Sequence, residues 1–369
     1  MALSRRSMIM LAAVMAVVLV GGGVLLWRLR TAPTTPTGPR LVFAEFGPTA
    51  DRVYLAPAAD PAQRTLVTTV DHVAEWGLNP ALNLAGTKAA FTVLPPSTTR
   101  PQADSPAELW LLDVTTGQRQ RITGDADLRV PPVFNAAGTA LVYRASASGG
   151  RQSLVRIDIA TGTRRPLVEV ETAFGVFPIG FARDGALIFA SLSNAGTDLL
   201  AVADGAPPRK LLHASDQLAR DWRVSPAGDT IAYLAPVVSA ERVAYRLHVA
   251  RLDGAAPGRL GDDAAGEQYG GAWRPAGDAV TVGQQPNGAT GASAATLPLS
   301  GGAPTLLAAP PRGFDHPLTW SADGSALAVR SFDGTSAAAP GRESTAVIVG
   351  GQRRVVSGPA EIIVFGWVQ

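Results

Sequence analysis

Trp320-Ser321-Ala322-Asp323-Gly324-Ser325-Ala326-Leu327-Ala328-Val329 reads as the end of one strand, a tight Asp-Gly turn, and a second strand of small and apolar residues. The glycine accepts the turn geometry, and an apolar residue on either side packs into one layer. Five variants precede it: Leu82-Asn83-Leu84-Ala85-Gly86, Phe134-Asn135-Ala136-Ala137-Gly138, Phe181-Ala182-Arg183-Asp184-Gly185, Val224-Ser225-Pro226-Ala227-Gly228 and Trp273-Arg274-Pro275-Ala276-Gly277. Their glycines are 52, 47, 43, 49 and 47 residues apart. An apolar or aromatic residue stands four before each glycine. Phe91, Tyr143, Tyr233, Val282 or Val329 stands five after, with Phe189 one early.

Each copy is followed by two short strands around a second turn, such as Leu109 to Asp113, Thr116-Gly117, then Arg121 to Thr123. Four antiparallel strands in about 47 residues is the period of a β-propeller blade. The ends carry the missing pieces. Arg40 to Phe46, Arg52 to Leu55 and Thr65 to Val70 form three strands with no first strand, and Glu361 to Val368 forms one strand with no successors. With Trp367 at the aromatic position, Val368, Gln369, Thr37 and Gly38 restore the step to glycine, and Phe43 falls five beyond it. The expected fold is all-β: a seven-bladed propeller of six whole blades plus one closed by the N- and C-terminal strands, which removes the open sheet edges.

The Trp-Ser-x-Asp-Gly pattern, followed by a short apolar strand and an aromatic residue, resembles the TolB-type, WD-repeat-like propeller repeat. Trp320 to Gly324 and Ser225-Pro226 carry it best, and it covers roughly residues 40–369. Only the third and sixth copies keep Asp-Gly, and only the fourth and fifth keep the proline. The resemblance implies a bacterial envelope protein that binds partner proteins through its propeller. TolB's separate N-terminal domain is not expected, because the linker runs straight into strands. Similar repeats precede the hydrolase domain of prolyl-oligopeptidase-like peptidases. No Gly-x-Ser-x-Gly elbow follows here, so that activity is not expected.

Met8 to Trp27 is a run of 20 uncharged, mostly apolar residues, about 30 Å of helix, enough to cross a bilayer core. Arg5 and Arg6 precede it, and Arg28 and Arg30 follow. The expected organisation is a cytoplasmic N-terminus (1–7), a membrane-spanning signal-anchor helix (8–27), a stiff Pro/Thr linker (28–39) and the propeller (40–369) outside the bacterial cytoplasmic membrane. Ser4-Arg5-Arg6-Ser7 loosely matches a twin-arginine export signal, so cleavage and release as a soluble exported protein is the alternative.

Residues 1–30 hold four of the 32 basic residues and none of the 30 acidic ones, leaving 28 basic against 30 acidic in the remainder. A near-neutral body argues against nucleic-acid binding. There is no cysteine, which excludes disulfides, thiolate catalysis and a lipoprotein anchor.

His72, His213, His248 and His316 do not stand at metal-ligand spacing, and no cofactor, metal or catalytic residue is assigned. Acidic residues (Asp125 and Asp127, Glu169 and Glu171, Asp262 and Asp263, Asp315) are expected in the loops entering the innermost strands, as a mildly acidic funnel. Leu94 to Ala107, Pro236 to Tyr245, Gly283 to Ala294 and Ser331 to Glu343 read as long loops on one face, with tight turns on the other. Function concentrates on such loops. The candidate binding residues are Trp76, Arg100, Glu267, Tyr269, Arg312, Asp315 and His316. The expected function is a membrane-tethered scaffold for a protein partner, with an enzyme or carbohydrate-binding protein using the central funnel as the alternative.

Overall fold

The structure, a computed structural model, describes residues 38–79, 87–146, 151–172, 174–238, 243–261, 266–286, 290–356 and 361–368. The apolar run at 8–27, expected to span a membrane, most of the linker, and Asp262 and Asp263 lie outside the described residues. Among those described, no helix is long and apolar enough to cross a membrane.

The described chain is built of antiparallel strands. β1 (Arg40–Glu45), β2 (Ala50–Pro57) and β3 (Thr65–Asp71) come first. β4 (Lys88–Val93), β5 (Pro106–Asp113) and β6 (Arg119–Asp127) follow, and Asn79 adds an isolated bridge to Thr92. Next are β7 (Val133–Phe134), β8 (Ala140–Ala145), β9 (Arg151–Asp158) and β10 (Arg164–Glu171), joined to β6 by one bridge, Ala126 to Ala145. Three four-stranded sheets then run in chain order. They are β11 (Val176–Phe181), β12 (Leu187–Ser193), β13 (Gly196–Val202), β14 (Arg209–Ser215); β15 (Arg220–Val224), β16 (Thr230–Val238), β17 (Val243–Arg251), β18 (Gly258–Arg259); and β19 (Gln268–Trp273), β20 (Ala279–Gln284), β21 (Ala295–Pro298), β22 (Thr305–Leu306). β23 (Phe314–Trp320), β24 (Ala326–Phe332), β25 (Glu343–Val349) and β26 (Gln352–Val355) form another, and the last strand is β27 (Ile362–Val368).

β27 returns to the beginning. It pairs antiparallel with β1 from Arg40 opposite Val368 to Glu45 opposite Ile362, giving the order β27-β1-β2-β3. The pairing expected from Trp367 and Gly38 is therefore present.

The repeat stretch folds as a hairpin turn in every described copy. Gly138, Gly185, Gly228, Gly277 and Gly324 have φ between 66° and 84°. Each donates its N–H to the carbonyl three residues back at 2.8–2.9 Å. This left-handed glycine is the fourth residue of a four-residue turn rather than a central residue of a two-residue Asp-Gly turn. The side chain opening the turn does more than the sequence suggests. Ser321 accepts the Ala326 N–H (2.9 Å) and donates to Asp323 (2.6 Å), and Asn135 accepts the N–H groups of Thr139 and Ala140 at 2.9 Å.

The residues five after glycine, with Phe189 four after, form the layer between sheets: Phe43, Phe91, Tyr143, Phe189, Tyr233, Val282 and Val329 are at most 2% exposed. Burying each side chain contributes about 1.5–3 kcal/mol.

One expected loop is strand at both of its described ends. Pro236 to Tyr245 continues the β16–β17 ladder as far as Val238 opposite Val243. The β-branched run Val237-Val238 and the sequence Val243-Ala244-Tyr245 suit a pleated strand. Asp125 and Asp127 close β6, and Glu169 and Glu171 close β10, so these acids are strand-end residues rather than loop residues.

Candidate functional site

The innermost strands share a defect at one position. Against their neighbours, β11 skips Ile179, β23 skips Leu318 and β27 skips Phe365, while β15 skips Asp221 and Trp222 and β19 skips Gly270 and Gly271. In β11, β15, β19 and β23 the bulge falls six residues before the turn glycine, or includes that position. A bulge bends the strand and re-aims its side chains. Here it brings Ile179, Asp221, Trp222, Leu318 and Phe365 to the wall of one cavity of about 760 Å³, which Val133, Trp273, Trp320 and Trp367 also line. Because six successive innermost strands contribute to it, this cavity is the axial channel.

Its wall is mainly apolar and aromatic. The repeat tryptophans are fixed by their indole N–H groups, each donating into the preceding sheet: Trp273 to the Arg223 carbonyl (2.8 Å), Trp320 to Thr281 Oγ1 (3.0 Å) and Trp367 to the Thr319 carbonyl (3.0 Å). Asp221 and Arg223 are the charged residues lining it. Burial lowers the Arg223 pKa, against the attraction of Asp221.

Asp221 takes φ 56°, rare for a residue with a side chain, which turns it toward the loop end of the channel. There His316 Nε2 lies 3.5 Å from Asp221 Oδ1, a contact too long for a tight hydrogen bond. Burial pushes the Asp221 carboxyl up, but His316, Arg223 and Arg220 outweigh it and hold the pKa at about 2. Arg220 reaches Glu267 at 3.3 Å and lies 3.8 Å over the Tyr245 ring. Tyr269 donates to Glu267 at 3.3 Å and stacks on Phe314, with ring centroids 4.1 Å apart. Burial and the neighbouring Glu267 raise the Tyr269 pKa. Gly270 is required at this point: with φ 63°, an added Cβ would meet His316 Cδ2 at 2.1 Å.

The seven sequence candidates divide. Glu267, Tyr269 and His316 meet at this mouth, although Tyr269 is only 4% exposed and serves as its floor rather than its surface. Asp315 is wholly buried and turns outward, bonded to Ser331 (2.7 Å) and paired with Arg353. Burial raises its pKa despite Arg353, so its role is internal. Trp76 belongs to another sector, where it packs on Val73, Leu94, Ala107 and Leu128 beside a second cavity of about 490 Å³. Arg100 and Arg312 are exposed loop residues. Arg220 and Asp221 were missed by the sequence reading. Nothing in Arg220-Asp221-Trp222-Arg223 announces a bulge, although its fixed distance from the turn glycine is a signal that a register of repeats could use. Among the described residues, no group of three or more His, Cys, Asp or Glu could hold a metal ion.

No family model and no curated protein matches this sequence. Solved structures do. TolB from Acinetobacter baumannii is 16% identical with a TM-score of 0.50, over 76% of this chain and 68% of that one. An oligogalacturonate lyase in complex with manganese is 15% identical at 0.56, over 86% and 84%. The β-propeller domain of the Trilobed protease from Pyrococcus furiosus is 11% identical at 0.53, over 88% and 98%. At such identities the likeness is one of fold, and the fold of this chain is that of a TolB-like β-propeller.

Proposed function

We propose that this chain is a protein-binding scaffold: a propeller of six whole blades and one split blade, carried outside the bacterial cytoplasmic membrane by the span at 8–27 and the linker at 28–39. Release after signal cleavage is the alternative localisation. The observation that carries the reading is the meeting of Arg220, Glu267 and His316 at the loop-end mouth of the channel, where a guanidinium, a carboxylate and an imidazole surround a buried aromatic floor. Arginine and aromatic groups in such settings carry much of the binding energy at protein interfaces.

The channel wall supports a second reading, an enzyme or carbohydrate-binding protein. Trp222, Trp273 and Trp320 offer aromatic surface beside Asp221 and Arg223. Crosslinking in membranes containing the full chain tests the first reading. A protein partner captured by the native chain should be lost in Arg220→Ala and His316→Ala variants that keep the native Tm; capture that ignores both substitutions overturns it. Turnover of a small substrate in glycan and peptide panels would favour the second.

A further inference from the structure

The axial cavity holds a side chain that the packing does not require. Val133, Gly180, Arg223, Ala272, Thr319 and Gly366 share one ladder position in six innermost strands. Each stands one residue before the apolar or aromatic residue of the repeat. All are uncharged except Arg223. Five of the six, Gly180 aside, line the cavity of about 760 Å³. The short neighbours leave room in the bore for a guanidinium.

The fold makes little use of that guanidinium. Arginine carries five N–H donors, and the bond made here runs from Nη1 to the Trp222 carbonyl at 2.8 Å. Among the described residues, Nε and Nη2 have no hydrogen-bond partner, and neither is sealed from open space. No carboxylate among them lies within ion-pair distance of Arg223. Asp221 attracts it from farther off but turns to His316 (3.5 Å) and Arg220 (3.8 Å). Burial lowers the Arg223 pKa in spite of that attraction. The bond that ties this residue to the next sheet, from the Trp273 indole N–H, ends on its backbone carbonyl and needs no particular side chain. A guanidinium left unpaired in an apolar bore is costly unless an anion completes it. Water filling the bore would also meet these donors, and the experiment separates the two.

We propose that the axial cavity binds a carboxylate with a planar apolar body, the carboxylate held by Arg223 and the body by the rings of Trp222, Trp320 and Phe365. The planar guanidinium fork matches a carboxylate. Asp221 nearby leaves too little positive charge for a phosphate dianion. The volume falls within the roughly 300–1,000 Å³ of small-molecule sites. This names a ligand class for the channel of the second reading above, and it requires no turnover. Arg220, Glu267 and His316, which carry the partner-binding reading, do not line this cavity, so loss of a partner and loss of this ligand are separate outcomes.

The probes are naphthoate and naphthamide, which share a shape and differ in charge, titrated calorimetrically into the full chain in detergent. The Arg223→Met variant in the same detergent serves as the blank. Naphthoate should bind the native chain about tenfold or more tighter than naphthamide, the difference one charge-assisted bond makes. Arg223→Met should bring naphthoate down to the affinity of the amide. Without ligand it should melt no lower than the native chain, because it removes a buried charge that the fold leaves unpaired. Equal affinity for acid and amide, naphthoate binding that ignores the substitution, or a variant of lower Tm overturns the proposal. A further pair, N-acetyl-alanyl-glycyl-phenylalanine and its amide, identifies the source. Tighter binding of this acid than of naphthoate, lost in its amide, assigns the carboxylate to a peptide C-terminus, and the reverse order assigns it to a small free acid.

Discussion

Two carboxylates near the loop end show how burial and neighbours compete. Asp315 is fully buried and its pKa is raised even with Arg353 beside it, whereas Asp221, next to His316 and two arginines, titrates at about 2. For Asp221 the folded value lies below the reference value of 3.8. Its contribution to stability, about 2 kcal/mol, is therefore present above that value and lost as pH falls toward the folded pKa. Urea denaturation of the native chain and Asp221→Asn should show a gap that is full near neutral pH and closes between pH 3.8 and about 2. A gap unchanged by acid would contradict this assignment of charge. Asp51 gives a harder prediction. It is 0% exposed and accepts from Gly47 N–H (3.1 Å), Leu78 N–H (2.7 Å) and His72 Nε2 (3.1 Å). Asp51→Ala strands these groups and should cost roughly 3 kcal/mol or more in chemical denaturation.

At the level of elements, the bulged innermost strand links the repeat to the channel. In β11, β15, β19 and β23 the turn glycine, an apolar or aromatic residue four before it and a bulge about six before it occur together, so each of these strands contributes one packing residue to the inter-sheet layer and one or two to the bore. Gly270→Ala tests this coupling. It adds a Cβ 2.1 Å from His316 to a backbone at φ 63° and should destabilise the fold by roughly 1–3 kcal/mol in urea melts while displacing His316 from Asp221. Trp320→Phe tests the tie between sheets. The ring position stays beneath Arg274, whose guanidinium lies 4.3 Å from the ring centroid, but the bond to Thr281 is lost. A loss of about 1 kcal/mol is expected from thermal unfolding.

For the whole molecule, the pairing of β1 with β27 joins residues more than 300 positions apart and gives β1 a partner on both sides. Removing residues 361–369 exposes β1, buries no substitute for Val364 and Phe365, and should yield enlarged oligomers or an unfolded chain. Light scattering after size exclusion reads the outcome, and a fully stable truncated monomer would contradict closure by this strand. The two ends of the propeller also differ in kind. The loop end carries the Arg220–Glu267 pair and the Asp221–His316 contact beside the channel, and the opposite end carries the tight glycine turns.

The sequence by itself determined the all-β class, the repeat register and the pairing of the chain's ends. These depend on local rules: a glycine that tolerates positive φ, apolar residues at fixed steps from it, and strands of period two. It also pointed to Glu267, Tyr269 and His316, because residues entering an innermost strand must lie near the axis. Only the tertiary structure separated Trp76 from that group, turned Asp315 away from the channel to Arg353, and added Arg220 and Asp221. Those assignments rest on bulges and on contacts between sheets whose residues lie about 50 or 100 positions apart in sequence. A bulge reverses which side of a strand a residue faces without altering the composition around it, so residue types alone could not place these side chains.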